Sequence, residues 1–238
     1  MHSFYAPHII ENNFCLSDEE SMHAIKVLRL QKNDEILILD GKGKSIVAAI
    51  TDPHPKKCKV VFTDEIGTEK APKFSLHIAI APTKNIDRFE WFVEKATELG
   101  IQEISPIICA QSERKILNIE RIQKILVSAM KQSQSLYLPM LNEVVSFSRF
   151  IETEKKSDHK KLIAHCENDN TKTEIQVQLL NSNCTILIGP EGDFNKTEIE
   201  LALINNFEAI TLGNSRLRTE TAGVYVASTF RLLNSGTN

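Results

Sequence analysis

The sequence predicts an α/β protein in which a small β-barrel precedes a mostly parallel sheet with helices on both faces. Up to residue 70 the apolar residues form short runs typical of strands, whereas from Phe74 onward such runs alternate with helical segments. Alternation of this kind is typical of a parallel sheet covered by helices. A polar segment that ends in proline, residues 67–72, reads as a linker. We therefore expect two domains, residues 1–70 and 73–238.

In the first domain, residues 35–40 (EILILD) and 45–50 (SIVAAI) are predicted strands of a hairpin joined by a glycine-containing turn. Residues 59–64 (KVVFTD) form a third predicted strand. Ser17 is the expected N-cap of a short helix, with Glu20 closing a capping box.

The second domain is expected to contain five strands and four helices. The predicted strands are residues 75–81, 101–108, 161–165, 185–188 and 209–212, and the predicted helices are 87–99, 119–133, 196–206 and 220–233.

Composition narrows the class of protein. The net charge of −3 gives no overall basic character, so contact with nucleic acid would have to come from local patches. The five cysteines are separated and odd in number, which favours neither a disulfide framework nor a zinc site. No apolar run approaches the roughly 20 residues of a membrane helix, and the N-terminus lacks a signal peptide's apolar core. We expect a soluble, cytoplasmic protein with no metal.

The first candidate ligand loop is IGPEGDF, residues 188–194. It follows a buried predicted strand, and open α/β sheets bind ligands beyond the carboxyl ends of their strands. Its glycines allow backbone amides to approach a ligand, and Asn195 with Glu198 predicts a capping box on the next helix. An ordinary strand-to-helix turn explains the same residues equally well.

Two common nucleotide sites are disfavoured. Lys196 and Thr197 follow the loop as they would in a phosphate-binding P-loop, but position 195 is Asn where that motif requires glycine. The dinucleotide fingerprint G-x-G-x-x-G is also absent from the sequence.

The second candidate segment is LGNSRLRTETA, residues 212–222. Arg216, Arg218 and Glu220 stand at the start of a predicted helix, with Thr219 or a neighbour as its N-cap. A helix N-terminus favours anions, and Arg218 adds positive potential there. The alternative is a surface arginine beside a normal cap.

The wording and order of these motifs resemble those of the RsmE family, the bacterial 16S ribosomal RNA uridine-N3 methyltransferases of the SPOUT class. The resemblance rests on both segments, on KATELG at residues 95–100, and on His23, Val27, Leu28 and Arg29 with a later Asp40-Gly41. It covers nearly the whole chain.

The sequence departs from the family pattern at two places. Asp193 stands where the family usually has a second glycine after G-P-E-G. The segment that begins at Gln132-Ser133 lacks the arginine that the family often has there.

The resemblance implies a trefoil-knotted SPOUT domain that dimerises, a PUA-like barrel that helps to hold RNA, and S-adenosylmethionine as the methyl donor. It implies that cofactor is bound by Ile188, Gly189, Pro190, Glu191, Gly192, Leu212, Gly213, Leu217, Thr221 and Ala222. The implied substrate is a uridine in the decoding region of 16S ribosomal RNA, on the assembled small subunit.

For catalysis we expect Arg218 to stabilise the uracil anion or a nearby phosphate, with Glu220 orienting it or receiving the proton. RNA contacts are expected from His23, Lys26, Arg29 and Arg216.

Other functions remain open at this point. Another SPOUT activity, ribose 2′-O or guanine-N1 methylation, fits less well, because the ribose-modifying branch usually has an Asn-rich, serine-containing motif where this chain has residues 218–222. A catalytically silent RNA-binding protein in ribosome assembly and a ligand-binding protein unrelated to RNA are the further alternatives.

Overall fold

In a computed structural model, which describes residues 1–8, 13–167 and 172–234, the chain forms two compact units. The first contains Met1–Ala71 together with Val127–Leu138, and the second contains Pro72–Leu126 and Pro139–Asn238. The last four residues of the predicted second domain, 235–238, lie outside the described residues.

The first unit is built on a five-stranded sheet. Its strand order is β1-β3-β4-β5-β2, with β1 parallel to β3 and the other pairs antiparallel. The three predicted strands are confirmed as β3, β4 and β5, whereas β1 and β2 escaped prediction because they are short. The elements are β1 (His2–Tyr5), β2 (Asn13–Cys15), α1 (Asp18–Met22), which runs into a π-helical turn (His23–Val27), β3 (Glu35–Leu39), β4 (Lys44–Asp52) and β5 (Lys59–Thr68).

The start of α1 confirms half of the predicted capping box. The Ser17 hydroxyl accepts a hydrogen bond from the Glu20 backbone N–H, as expected of an N-cap. The Glu20 carboxylate is used elsewhere: it accepts from the Tyr5 N–H at 3.3 Å and from Lys131 Nζ at 2.7 Å. Glu20 therefore ties β1 to residues 127–138, a contact between positions 111 residues apart that local spacing does not reveal.

The second unit is built on a parallel sheet of eight strands. Its strands are β6 (Leu76–Ile80), β7 (Glu103–Ile108), β8 (Met140–Leu141), β9 (Val145–Ser146), β10 (Lys160–Ala164), β11 (Thr173–Glu174), β12 (Cys184–Ile188) and β13 (Glu208–Thr211). The helices of this unit are α2 (Ile86–Glu98), α3 (Ile119–Ser133), α4 (Phe147–Glu154), α5 (Ile175–Leu179), α6 (Lys196–Ile204) and α7 (Thr219–Asn234).

The order of the strands in the sheet is β11-β13-β10-β12-β6-β7-β8, and β9 pairs with β7. The predicted strands and helices are confirmed with small shifts at their ends, whereas β8, β9, β11, α4 and α5 were not predicted.

Helices cover both faces of this sheet, as predicted. Ala79 and Leu187 point to one face and pack in one cluster with Phe150 of α4 and Ile199 of α6. The opposite face carries α2 and α7, which pack against each other. Among the described residues, no helix is long and apolar enough to cross a membrane.

The packing of α7 on α2 depends on a glycine. Gly223 lies in the middle of α7, and a Cβ at this position would stand 2.5 Å from two ring carbons of Phe92 and 3.2 Å from Cδ1 of Ile80. A side chain would separate α7 from α2 and the sheet. The start of α7 belongs to the second candidate segment, residues 212–222, so the contact of Gly223 with α2 and the sheet helps to position that segment.

We expect Gly223→Ala to destabilise the protein. In an exposed helix, replacing glycine with alanine stabilises by about 1 kcal/mol, but overpacking a core costs about 1–3 kcal/mol, and here the second effect should exceed the first. Urea unfolding of this variant and of Ser228→Ala, an exposed position on the same helix, tests the point. The control should stay within about 0.5 kcal/mol of the parent, and a stabilised Gly223→Ala variant would contradict the packing argument.

Candidate functional site

A cavity of about 700 Å³ lies at the carboxyl ends of three neighbouring strands, β10, β12 and β13. Three loops surround it, which we name by the strand each follows: the β10 loop (residues 165–167 and 172), the β12 loop (189–195) and the β13 loop (212–218). Most residues of the two candidate segments meet here although they are far apart in sequence. The predicted residues that line the cavity are Ile188, Gly189, Pro190, Glu191, Leu212, Gly213, Arg216, Leu217, Arg218 and Ala222.

One wall of the cavity, formed by the β10 loop, was not predicted from the sequence. The β10 loop lines it with residues 165–167 and Lys172, next to Ala164 at the end of β10. Strand β10 was itself predicted, so applying the strand-end rule to it would have indicated this loop. The other lining residues that were not predicted are Asp193, Ile210, Thr211, Asn214, Ser215 and Thr219.

Of the residues predicted to bind the cofactor or to act in catalysis, three do not line the cavity. Gly192 faces the side chain of Gln111: a Cβ there would stand 3.2 Å from Gln111 Cβ and closer still to Oε1, so Gln111 would have to shift. Thr221 is exposed on the first turn of α7. Glu220 is buried, and its Oε1 forms an ion pair with Arg88 Nε of α2 at 3.8 Å, so this carboxylate is held by Arg88 and not by Arg218.

The three other predicted RNA contacts lie in the first unit. Lys26 and Arg29 are exposed, whereas His23 is half-buried and its ring packs on Phe4 with centroids 5.9 Å apart. Arg29 has a left-handed backbone with φ of +58°, a conformation that glycine usually supplies where a helix ends. The structure thus exposes the two cations and leaves the His23 side chain partly exposed beside Phe4, and an RNA contact by all three residues stays a prediction.

A buried hydrogen bond joins the two candidate segments, residues 188–194 and 212–222. The Thr219 hydroxyl donates to the Gly189 carbonyl at 3.0 Å, and both are buried from solvent at this contact. Thr219 is the first residue of α7 and its hydroxyl bonds to the β12 loop, so of the two alternatives given for the N-cap the structure favours a neighbour, Arg218, whose carbonyl accepts from the Ala222 N–H. The β12 loop and the start of α7 are held together independently of any ligand.

Backbone conformation and packing explain two of the glycines. Gly213 has φ of +108°, which L side chains rarely adopt, and a Cβ there would meet nothing within 4 Å. A Cβ on Gly189 would come within 3.2 Å of the Phe194 ring and backbone nitrogen. Gly213 thus serves the shape of the turn, and Gly189 serves close packing inside the β12 loop.

The charged side chains around the cavity differ in how far hydrogen bonds to the protein restrain them. Glu191 is tied to the loop after β6, since its Oε1 accepts from the Lys84 N–H at 2.9 Å. Arg216 reaches the Glu191 carbonyl at 3.4 Å, whereas Arg218 is exposed at the first residue before α7. Arg218 is therefore placed to meet a ligand beside the positive end of a helix.

The cavity offers no ready nucleophile or metal centre in the part of the chain that the structure describes. Burial, and then the Asp193 carboxylate, raise the pKa of the Cys166 thiol above its ordinary value, so this thiol stays protonated near neutral pH. No group of three His, Cys, Asp or Glu side chains that could hold a metal ion occurs among the described residues.

Comparison with known families identifies the class of protein. Residues 69–231 match the model of the RNA methyltransferase domain, and residues 16–63 match that of the RNA methyltransferase PUA domain. The fold and the cavity are therefore those of an RNA methyltransferase with a PUA-like domain before it.

Individual relatives narrow the class to a family. The ribosomal RNA small subunit methyltransferase E of Rickettsia conorii is 33% identical over 92% of this chain and 90% of its own length. A probable rRNA-methyltransferase from Porphyromonas gingivalis has a TM-score of 0.88 at 35% identity, with each chain covered completely. The ribosomal RNA small subunit methyltransferase E of Neisseria gonorrhoeae, solved with S-adenosyl methionine bound, has a TM-score of 0.85 at 27% identity over 98% of both chains. This chain belongs to the ribosomal RNA small subunit methyltransferase E family, RsmE.

The cavity fits S-adenosylmethionine in size and chemistry. Small-molecule sites usually occupy about 300–1,000 Å³, and the observed 700 Å³ lies in that range. Apolar side chains that suit an adenine ring line it, together with backbone groups of two glycine-containing turns and carboxylates that suit a cationic ligand. The apolar lining comes from Ala164, Ile188, Ile210, Leu212, Leu217 and Ala222.

We expect the Thr219–Gly189 contact to support both stability and cofactor binding. Thr219→Val removes the donor and leaves a buried carbonyl unsatisfied, a loss of about 1–3 kcal/mol. Thr219→Ser retains the hydroxyl and should recover most of that loss.

Thermal unfolding and titration with S-adenosylmethionine on both variants check this expectation. If Thr219→Val matches the parent protein in both measurements, the hydrogen bond does not hold the two segments together.

Proposed function

We propose that this protein methylates N3 of a uridine in the decoding region of 16S ribosomal RNA, using S-adenosylmethionine and acting on the assembled small subunit. The observation that carries the proposal is the cavity itself, in which both RsmE signature segments meet at the carboxyl ends of β12 and β13. The membership of the chain in the RsmE family supports the same reaction.

The cofactor site in this proposal consists of the β12 and β13 loops with the first turn of α7. Backbone groups of Gly189, Leu212 and Leu217 bind the cofactor, and the apolar lining holds its flat ring. When bound, S-adenosylmethionine supplies a methyl group already activated by a positively charged sulfur, so the protein chiefly aligns the reactants and stabilises charge.

Arg218 is the residue that we assign to the reacting base. Methylation at N3 requires loss of the N3 proton, which leaves negative charge on the uracil ring. The exposed Arg218 guanidinium, beside the N-terminus of α7, stabilises that charge or an adjacent phosphate. The proposal assigns no general base.

Glu220 has a different role in the proposal from the one that the sequence suggested. Its carboxylate is buried and paired with Arg88, so it fixes the first turn of α7 against α2. It thereby positions Arg218 two residues earlier, without touching the substrate.

RNA binding is assigned to both units. In the first unit the exposed Lys26 and Arg29 contact phosphates, and in the second unit Arg216 lies at the edge of the cavity. The proposal also includes the trefoil knot and a cytoplasmic location, where ribosomes are assembled.

The proposed reaction is tested by incubating small ribosomal subunits from a strain that lacks the modification with the protein and S-adenosylmethionine. Nucleoside mass spectrometry should find 3-methyluridine in the 16S RNA. Ribose-methylated nucleosides or 1-methylguanosine would replace this activity with another of the same class, and cofactor binding without any methylated product would indicate a silent RNA-binding protein.

Arg218→Ala should lower kcat by about 10²–10³-fold, the usual cost of losing one donor to developing charge, with little change in cofactor affinity. Arg149→Ala, an exposed arginine on α4 away from the cavity, is the control and should retain full turnover. An unchanged kcat for Arg218→Ala at saturating RNA would remove Arg218 from the chemistry.

We further assign a homodimer formed through the second unit. Large apolar side chains are exposed on the helices of one sheet face, namely Trp91 on α2, Val177 on α5 and Leu232 on α7. Contiguous exposed apolar patches are typical of protein interfaces, and we propose that these three side chains belong to one.

Light scattering during size-exclusion chromatography should give the mass of two chains. A Val177→Asp, Leu232→Asp double variant should shift toward one chain, whereas Ile204→Asp, exposed on α6 at the opposite face, should not. A parent protein with the mass of one chain would overturn this assignment.

A further inference from the structure

Asp193 lies in the β12 loop and lines the cavity. Its backbone has φ of +69°, in the left-handed region. Aspartate tolerates this region better than most residues because its side chain can bond to the local backbone. Here Oδ1 accepts a hydrogen bond from the Phe194 N–H at 2.8 Å, which accounts for the tolerance but not for any function.

The second carboxylate oxygen makes a contact that glycine cannot make. Oδ2 of Asp193 accepts a hydrogen bond from the backbone N–H of Cys166 at 2.7 Å, across 27 positions of sequence. Cys166 belongs to the β10 loop, and β10 and β12 are neighbouring parallel strands. The bond is short and has a charged acceptor, which makes it one of the stronger kinds of hydrogen bond.

A second charged group holds the same loop from its other end. Lys172 Nζ donates to the carbonyl oxygen of His165 at 2.7 Å and also to that of Glu167. The β10 loop therefore has its Cys166 amide fixed by Asp193 and two of its carbonyls fixed by Lys172. All five of these residues line the cavity.

We infer that Asp193 is a positioning residue that holds the β10 loop in place as a wall of the cofactor cavity. The inference rests on the proposed binding of S-adenosylmethionine in this cavity. Asp193 acts through the loop that it fixes, so its removal weakens cofactor binding and leaves the chemical step nearly unchanged.

The test compares Asp193→Gly, Asp193→Asn and Asp158→Gly with the parent protein by calorimetric titration of S-adenosylmethionine and by methylation kinetics. Asp193→Gly removes the strain of the left-handed backbone but also removes the hydrogen bond from Cys166 to the Asp193 carboxylate. The Kd for S-adenosylmethionine should rise about tenfold, and kcat at saturating cofactor should stay within about twofold of the parent value. Asp193→Asn retains an oxygen that can accept from the Cys166 N–H and should lie between the two. Asp158 is exposed before the amino end of β10, and its variant should bind normally.

Hydrogen exchange separates positioning from general destabilisation. In Asp193→Gly the Cys166 amide should exchange faster while the amides of Leu162 and Ile163 in β10 stay protected. If this variant fails to fold, a raised Kd in Asp193→Asn supports the inference and an unchanged Kd contradicts it.

Two results would overturn the inference while the proposed function stands. These are a Kd for Asp193→Gly within twofold of the parent value with Cys166 still protected, or a loss confined to kcat. Failure of the parent protein to bind S-adenosylmethionine would instead overturn the proposed cofactor site, and the inference with it.

Discussion

The site depends on the parallel alignment of β10, β12 and β13. Because the three strands are neighbours and run in the same direction, the loops that follow them meet at one edge of the sheet. Each loop alone is an ordinary turn. Their convergence produces a cavity of about 700 Å³ with backbone groups, apolar walls and charges of both signs. The hydrogen bond from Thr219 to Gly189 then joins the β12 loop to the start of α7.

Much of the fold could be predicted because it follows from local patterns. Alternating apolar runs and helical periods located most strands and helices, and the Asn195–Glu198 capping box at α6 is present as predicted. The elements that were missed are mainly short, such as β1 and the two-residue β8, whose few residues carry too little periodicity to read. The link between Glu20 and Lys131 was also out of reach, since it joins residues 111 positions apart.

The loops of the site could be predicted from the sequence, whereas the partners of its individual side chains could not. Glycine-containing turns after buried strands are visible in sequence, so the β12 and β13 loops were found. The partners of individual side chains are not visible: Glu220 seemed close to Arg218 in sequence, yet its partner is Arg88 on another helix. Gly192 was predicted to bind the cofactor, and it lies beside the Gln111 side chain, outside the residues that line the cavity. Asp193 appeared only as a departure from a family pattern until its bond to Cys166 was seen.

We propose that S-adenosylmethionine binds between the β12 and β13 loops. A crystal structure of the protein with S-adenosylhomocysteine, the demethylated product, tests this binding site most directly. We expect density for the ligand in the cavity, in contact with the backbone at Gly189 and Leu217 and beside Arg218. Density for the ligand at another place, or an empty cavity at saturating ligand, would contradict it.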